Sequence, residues 1–229
     1  MQQHHQVPAL PQWSDFDTVL LDMDGTLLDL HFDDYFWRTH LVQRLAEEKT
    51  LSAEQAQQVI TDIVEAARGT QRWYCLDHWS AALDLDVVPL KREVQHLIKA
   101  LPYAEDFLQV AQSKHGKKVY MATNAHRDSL NLKMQHVPMT HYFDDLISAH
   151  DYQHQKEDAG FWQALQQAIG FDPTRTVMVD DNTQVLAAAR DYGIEHCVAI
   201  CHPNTQCDPR EITDFPAIKN FSVYLQDNA

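Results

Sequence analysis

A chain of 229 residues with a formal net charge of −15 presents an acidic surface that repels nucleic acids and anionic membranes over long range. Its hydrophobic content of 45% is enough to bury a sizeable core in one or two domains. The longest apolar runs fall far short of a membrane span, and the polar N-terminus lacks the layout of a signal peptide. We therefore expect a cytoplasmic protein, either a monomer or a small homo-oligomer. Residues 1–14, which include Pro8 and Pro11, are expected to form a flexible tail.

Short apolar strands alternate with helical patterns along most of the chain. Strands are predicted at Thr18–Leu21, Lys118–Ala122, Asp145–Ser148, Thr176–Val179 and Glu195–Ile200. Helices are predicted at Glu105–His115, Asp158–Ile169 and Thr183–Tyr192, and a glycine follows each of them. This alternation predicts an α/β fold with a doubly wound parallel sheet.

The stretch from residue 32 to residue 101 breaks the alternation, because it holds helical patterns and no good strand. One pattern places its apolar face at Trp73, Leu76, Ser80 and Leu83. Tyr74 and Asp77 lie off that face. We expect the ring of Tyr74 to be available for stacking on a ligand and the carboxylate of Asp77 to be available as a hydrogen-bond acceptor. We expect residues 15–31 and 102–229 to form the α/β core domain, and residues 32–101 to form a helical cap that covers it.

The four cysteines are expected to be reduced thiols, because no secretory signal accompanies them. Cys197, Cys201, His202 and Cys207 are close in sequence, but their spacing fits no common zinc pattern. We therefore expect the cysteines of this group to be buried thiols and not zinc ligands.

Polar residues follow three of the predicted strands at the point where each strand ends. They are Asp22, Asp24, Thr123, Asn124, Asp180 and Asp181. Ligands of doubly wound sheets bind beyond the carboxyl ends of the strands, so these side chains are candidates for one site.

Two carboxylates, Asp22 and Asp24, stand two residues apart after the first strand, and a regular strand would direct both to the same side. Gly25 then allows the backbone to turn away. A carboxylate can attack phosphorus or carbon, and a second one can exchange a proton with the leaving group and with water. A plain Asp-Gly turn is the alternative for this run alone.

Each of the other candidates also has a structural alternative. Thr123 and Asn124 would serve equally well as caps of a following helix, and Asp180 and Asp181 as part of a turn. Lys156 would serve as an exposed charge at the start of a helix. The joint order of these residues along the chain and their placement at strand ends favour a functional site.

Four motifs of the chain, taken in order, resemble those of haloacid-dehalogenase-superfamily phosphohydrolases with an inserted helical cap. They are Asp22-Met23-Asp24-Gly25-Thr26, Thr123-Asn124, Lys156 and Asp180-Asp181. A narrower resemblance, to the bacterial GMP/IMP nucleotidases of that superfamily, rests on three groups of residues. They are Leu28-Asp29-Leu30 with Phe32-Asp33 and Tyr35-Phe36-Trp37, Trp73-Tyr74-Cys75-Leu76-Asp77 with Trp79-Ser80, and Thr123-Asn124-Ala125-His126.

The resemblance implies a role for each carboxylate of the motifs. Asp22 would be the nucleophile that becomes an aspartyl phosphate, and Asp24 would be the general acid and base. Mg²⁺ would be the cofactor, held by Asp22, by the backbone carbonyl of Asp24 and by Asp181. Asp180 would support Asp181 or exchange roles with it, and the sequence does not separate the two.

The remaining motif residues would bind the phosphoryl group. Thr123 and Asn124 would hold its oxygens, and Lys156 would pair with both Asp22 and the phosphate. A proton donor such as Asp24 favours cleavage of phosphate esters over carbon–halogen bonds, because a halide leaves without protonation.

The function expected from the resemblance is a Mg²⁺-dependent purine 5′-nucleotidase acting on small metabolites such as GMP or IMP. The alternatives are a sugar-phosphate phosphatase, a phosphotransferase similar to β-phosphoglucomutase, and a catalytically idle binding protein.

Overall fold

A parallel sheet of six strands forms the centre of the protein in the computed structural model, which describes residues 9–226. The strands are β1 (Thr18–Leu21), β2 (Lys118–Thr123), β3 (Asp145–Ser148), β4 (Thr176–Asp180), β5 (His196–Ile200) and β6 (Ala217–Ile218). They lie in the order β3-β2-β1-β4-β5-β6. The five predicted strands are confirmed to within one residue at either end. The sequence did not predict β6, because two residues are too few to show an alternating pattern.

Helices connect the strands on both faces of the sheet. They are α1 (His31–Tyr35), α2 (Leu41–Lys49), α3 (Ala53–Ala67), α4 (Leu76–Leu83), α5 (Val87–Glu93), α6 (Ala104–Gln109), α7 (Arg127–His136), α8 (Ala159–Ile169) and α9 (Thr183–Tyr192). The predicted helix at residues 105–115 is split, since α6 continues as a wider π-type turn over Val110–Lys114. The predictions for α8 and α9 are confirmed. The expected doubly wound α/β fold is therefore present.

Two hydrophobic layers cover the sheet because successive side chains of a strand face opposite sides. Leu20 of β1 packs in one layer with Phe161 and Trp162 of α8. Val19 and Leu21 belong to the other layer. All five side chains are completely or almost completely buried, so the carboxyl end of β1 is held rigidly from both sides.

Helices α1 to α5 form an insert between β1 and α6. Its two connections to the sheet run side by side: the amide of Asp29 donates to the carbonyl of Lys99, and that of Leu101 to the carbonyl of Leu27, each at 2.8 Å. Buried side chains of the insert, such as Trp79, belong to the same hydrophobic cluster as one face of the sheet. The division at residues 32 and 101 remains a prediction.

The expected apolar face of the insert is only partly correct. Leu76 and Leu83 are buried, but Trp73 is 39% exposed and lies in a 3₁₀ turn, Gln71–Tyr74. Cys75 is extended between that turn and α4, so the helical phase does not run through it. Trp79 takes the buried position that we expected of Trp73.

The packed chain begins before the end of the predicted tail. The indole of Trp13 stacks on His115 with ring centroids 4.3 Å apart, and its Nε1 donates to the carbonyl of Tyr224. Residues 1–8 of the tail lie outside the described residues. Within residues 9–226, no helix has both the length and the apolar character to cross a membrane.

The four cysteines are all free thiols. Cys197 is buried as expected, whereas Cys201 is half-buried and Cys207 is exposed, because both lie beyond the end of β5. Within residues 9–226, no group of side chains spaced to hold a metal ion includes these three cysteines.

Candidate active site

The strand order brings the candidate residues together at one edge of the sheet. Because β1 lies between β2 and β4, Asp22 stands level with Asp180, the last residue of β4, and one residue short of Thr123, the last residue of β2. The backbone amide of Asp22 donates to the carbonyl of Val179 at 3.0 Å, which continues the pairing beyond β1. The strands β2 and β3 lie on one side of β1, and β4, β5 and β6 lie on the other. Ligands of doubly wound sheets bind at this switch point, beyond the carboxyl ends of β1 and β4.

Lys156 occupies the centre of this edge and is almost completely buried. Its Nζ donates to Oδ1 of Asp22 at 2.5 Å, to Oδ2 of Asp180 at 2.7 Å and to the carbonyl of Ala122 at 2.9 Å. The two buried carboxylates raise the pKa of Lys156 despite the opposing effect of burial. The alternative of an exposed lysine at a helix start is therefore wrong, because α8 begins three residues later.

Asn124 holds the segment that carries Lys156. Its Oδ1 accepts from the amide of Lys156 at 2.8 Å, and its Nδ2 donates to Glu157 at 2.9 Å. The carbonyl of Lys156 accepts from the indole of Trp162 at 2.8 Å. The side chain of Asn124 is thus used for positioning, and direct contact with phosphate remains a prediction.

Thr123 is buried, and its Oγ1 accepts a hydrogen bond from the amide of Ala125 at 3.1 Å. The next helix is capped by His126, whose Nδ1 accepts from the amide of Asp128, so neither Thr123 nor Asn124 is its cap. The hydroxyl of Thr123 keeps its proton available for an oxygen in the site.

Three carboxylates converge on one point of the site. One oxygen from each of Asp22, Asp180 and Asp181 lies within 4.8 Å of the oxygens from the other two. Burial is the largest cause that raises the pKa of each, to about 8 for Asp22, about 6 for Asp180 and about 7 for Asp181. Neighbouring carboxylates add to the shift, and Lys156 opposes it. Such a cluster favours a bound cation that offsets the repulsion between the carboxylates.

Gly25 makes room for this cluster. A Cβ atom at this position would lie 2.8 Å from Cγ of Asp181, and the backbone has a φ of +80°. Only glycine adopts this positive φ without strain and leaves the space that the Asp181 carboxylate occupies. The donor set is entirely oxygen, which suits Mg²⁺, and Asp180 and Asp181 are both positioned to bind it.

Asp24 points to a different partner from Asp22. Its Oδ1 accepts from Nζ of Lys133 at 2.6 Å, and the same ammonium donates to Oδ2 of Asp33 at 2.6 Å. Lys91 donates to the other oxygen of Asp33 at 3.0 Å and lies over the ring of Phe36. We call Asp24, Lys133, Asp33 and Lys91 the charge chain.

The lysines of the charge chain are buried and its aspartates are half-buried. The chain joins the insert to the site, because Asp33 and Lys91 belong to α1 and α5. Burial raises the pKa of Asp24, and Lys133 offsets this only in part. For Asp33 the two lysines outweigh the effect of burial and lower its pKa to about 2.

Sequence analysis did not identify Lys133, Lys91 or Arg210 as site residues. Nη2 of Arg210 donates to the carbonyl of Asp181 at 2.7 Å and to its Oδ2 at 3.2 Å. These three cations lie far from the carboxylates in sequence and in no motif. The sequence offered one general reason to expect such cations: an acidic chain needs local positive charge wherever it binds a phosphate.

A cavity of about 820 Å³ opens from these residues toward the insert. Its floor includes Asp22, Asp24, Thr123, Lys156 and Asp181, and its insert side includes Trp37, Ile60, Val64, Trp73 and Tyr74. The hydroxyl of Tyr74 donates to Glu157 at 3.1 Å, so this part of the insert contacts the Lys156 segment. Asp77 lies farther out and is strongly exposed.

The chain is similar to known proteins over most of its length. Residues 16–193 match the model of the haloacid dehalogenase-like hydrolases. The chain is 32% identical over 209 residues to the GMP/IMP nucleotidase YrfG of Escherichia coli (strain K12), covering 91% of this chain and 94% of that protein. It is 25% identical over 185 residues to the fructose-1-phosphate phosphatase YqaB of the same organism, covering 77% and 93%.

Among solved structures, a HAD phosphatase from Thermococcus onnurineus superposes with a TM-score of 0.74 at 20% identity, covering 90% of this chain and 95% of that one. That likeness shows the fold. Together with the family match over the whole catalytic region, it shows that this chain belongs to the haloacid dehalogenase-like hydrolases.

Proposed function

We propose that this protein is a Mg²⁺-dependent phosphomonoesterase that acts through an aspartyl phosphate and prefers purine nucleoside 5′-monophosphates. The observation that carries the proposal is the buried Asp22 carboxylate, paired with Lys156 and flanked by a second carboxylate, Asp24, at the floor of a large cavity. The 32% identity to a GMP/IMP nucleotidase supports the substrate class.

Asp22 is the nucleophile of the proposed reaction. One carboxylate oxygen forms a bond to phosphorus as the bond from phosphorus to the ester oxygen breaks. Lys156 stabilises the charge of Asp22 before attack and that of the phosphoryl oxygens afterwards, since its ammonium is fixed between Asp22 and Asp180. Water then attacks the phosphorus and releases Asp22 with inorganic phosphate.

Asp24 moves the protons of both steps. It protonates the departing ester oxygen and later accepts a proton from the attacking water. Lys133 is the positioning residue for Asp24, because its ammonium holds Oδ1 at 2.6 Å. Asp33 keeps that ammonium in place from the insert, and Lys91 pairs with the other oxygen of Asp33.

Asp22, Asp180 and Asp181 are the side chains that would hold Mg²⁺. The fit rests on three converging oxygens and on the space that Gly25 leaves beside Asp181. When bound, the metal ion reduces the repulsion between the nucleophile and the phosphate.

The insert side of the cavity is suited to a purine base. Trp37, Trp73 and Tyr74 supply aromatic rings, and Trp73 keeps 39% of its surface exposed at the cavity. An exposed aromatic ring is available for stacking, which is favourable for every base. A volume of about 820 Å³ lies within the range of small-ligand sites.

A sugar-phosphate phosphatase is the second candidate. It is supported by the 25% identity to a fructose-1-phosphate phosphatase, and the same floor of the cavity would serve it. A phosphotransferase would share this floor too and would differ in protecting the aspartyl phosphate from water.

The substrate panel tests the proposed function. We expect kcat/KM for GMP and IMP to exceed that for fructose 1-phosphate, glucose phosphates and pyrimidine nucleotides by at least about tenfold, a difference of about 1.4 kcal/mol in transition-state binding. Phosphate release is the measurement. Higher activity on a sugar phosphate would replace the nucleotidase by the second candidate.

The panel also needs a control for contaminating phosphatases. Asp22→Asn removes the nucleophile with little change in shape. All activity should therefore disappear, while a cooperative thermal transition shows that the variant is still folded. Activity near that of the parent protein in this variant would contradict covalent catalysis by Asp22.

Removal of divalent metal with EDTA should abolish turnover, and Mg²⁺ should restore it better than Ca²⁺. Calcium takes more ligands at longer distances, which would let Asp22 bind through both oxygens and misplace the attacking one. Initial rates after chelation and readdition are the measurement. Undiminished activity in metal-free buffer would refute the metal site.

Asp24→Asn should slow hydrolysis of a nucleotide about 10²–10⁴-fold and affect p-nitrophenyl phosphate less in the first step, because nitrophenolate leaves without protonation. The phosphoenzyme formed from the activated ester should accumulate, since water has lost its base. Acid quench and intact mass measure it. Equal slowing of both substrates without a trapped intermediate would leave Asp24 as a metal ligand only.

Lys133→Met removes the ammonium that holds Asp24, and we expect the same dependence on the leaving group with a smaller loss of rate. Lys91→Met is the matched control, because the ammonium of Lys91 donates to Asp33, whereas Asp24 accepts from Lys133. Both variants remove a buried ammonium, so both melting temperatures should fall, and that of Lys133→Met, which breaks two ion pairs, should fall at least as far as that of Lys91→Met, which breaks one. A leaving-group effect in both variants, or in neither, would remove the positioning role from Lys133.

Gly25→Ala should reduce phosphatase activity at least about tenfold, because the added Cβ would displace Asp181 and the positive φ adds about 1–3 kcal/mol of strain. Gly116→Ala is the control, since Gly116 has a φ of +60° and nothing within 4 Å of the added atom. Activity and urea unfolding are compared. If both variants lose stability and activity equally, the contact with Asp181 has no specific role.

A further inference from the structure

Three side chains with metal-binding atoms meet at the junction of the insert and the sheet, outside the catalytic carboxylates. Cys75 precedes α4, His126 precedes α7, and His150 lies in a 3₁₀ turn, Ala149–Tyr152, after β3. One ligand atom from each lies within 4.8 Å of those from the other two. One sulfur and two imidazole nitrogens suit zinc, whereas Mg²⁺ prefers oxygen.

His150 gives independent support for a ligand at this place. Its Nε2 is buried and has no hydrogen-bond partner within residues 9–226, although buried polar atoms are normally paired. The backbone of Asn124 lies near the ring and raises its pKa in part. A metal-binding histidine typically offers one free nitrogen to the ion in this way, while its other nitrogen faces a protein acceptor.

Burial lowers the pKa of His150, so its ring is neutral and able to bind a metal at physiological pH. The ring of His126 packs edge-on against it, with centroids 5.1 Å apart. Oδ2 of Asp77 lies 3.6 Å from Nε2 of His126, and Oδ2 of Asp128 lies 3.6 Å from its Nδ1. In this structure the amide of Asp128 donates to Nδ1 of His126 at 3.4 Å, which places the ring proton on Nε2. Metal binding through Nε2 would move that proton to Nδ1, where Oδ2 of Asp128 would accept it and orient the ring.

We propose that Cys75, His126 and His150 form a second metal site, which binds Zn²⁺ or a similar transition-metal ion. Binding replaces the thiol proton of Cys75, which is released to solvent, by a bond from sulfur to the metal. The fourth position is filled by water or by Asp77. This site is separate from the carboxylates that would hold Mg²⁺.

The site would couple metal binding to the position of the insert. Cys75 belongs to the insert, whereas His126 and His150 belong to the sheet side, so one ion would join the two. Tyr74, the neighbour of Cys75, lines the cavity and binds Glu157. A bound ion would therefore hold this wall of the cavity against the Lys156 segment.

Cobalt titration tests the proposal without relying on turnover. The full chain is freed of metal with a chelator and titrated with Co²⁺ in excess Mg²⁺, which occupies the oxygen site. A cysteine bound to Co²⁺ gives a near-ultraviolet charge-transfer band that histidine and carboxylate ligands do not give. We expect this band to saturate at one equivalent and to disappear when Zn²⁺ is added.

The variants decide which residues bind the metal. Cys75→Ser should abolish the band, and Cys201→Ser, which changes another half-buried free thiol, should leave it intact. His150→Gln keeps the thiol but should weaken Co²⁺ binding at least about tenfold, and circular dichroism verifies that each variant is folded. The proposal would be overturned if the parent chain gave no band, or if the band persisted in Cys75→Ser. Undiminished Co²⁺ affinity in His150→Gln would overturn it as well.

Discussion

The ammonium of Lys156 is the interaction on which the rest of the site depends. It is buried between Asp22 and Asp180, two carboxylates from neighbouring strands that repel each other and are difficult to ionise without water. An unpaired charge at this depth would cost several kcal/mol. The fold therefore devotes Asn124 and Trp162 to holding the backbone on both sides of Lys156. In our proposal, this cation supplies local positive charge for a phosphate in a chain whose net charge is −15.

The charge chain extends the same principle into the insert. Lys133 pairs with Asp24 on one side and with Asp33 on the other, and Lys91 completes the pairing of Asp33. The insert is thus tied by ion pairs to the proposed proton donor as well as by hydrophobic packing to the sheet. Movement of α1 or α5 would change the surroundings of Asp24. Substrate selection by the insert and proton transfer in the site are therefore physically linked in our proposal.

The proposed functions of the two metal-binding regions follow from their ligand chemistry. The oxygen cluster of Asp22, Asp180 and Asp181 matches a hard cation, and the group of Cys75, His126 and His150 matches a softer one. The first is built on strand ends and is rigid. The second spans the boundary between sheet and insert, where an ion would act on the position of one wall of the cavity.

Five of the six strands, the helices after β3 and the order of the motifs could be read from the sequence, because alternating apolar patterns and residues at strand ends are local signals. Strand order then placed Asp22 between Asp180 and the end of β2, at Ala122 and Thr123. Only the tertiary structure decided the partners of Asp24, the use of Asn124 for positioning and the exposure of Trp73. Lys133 lies 109 residues from Asp24 and 100 from Asp33, and Lys91 lies 58 residues from Asp33, and no periodicity links such positions. Pairing of buried charges is a property of three-dimensional packing, so it is visible only after the chain has folded.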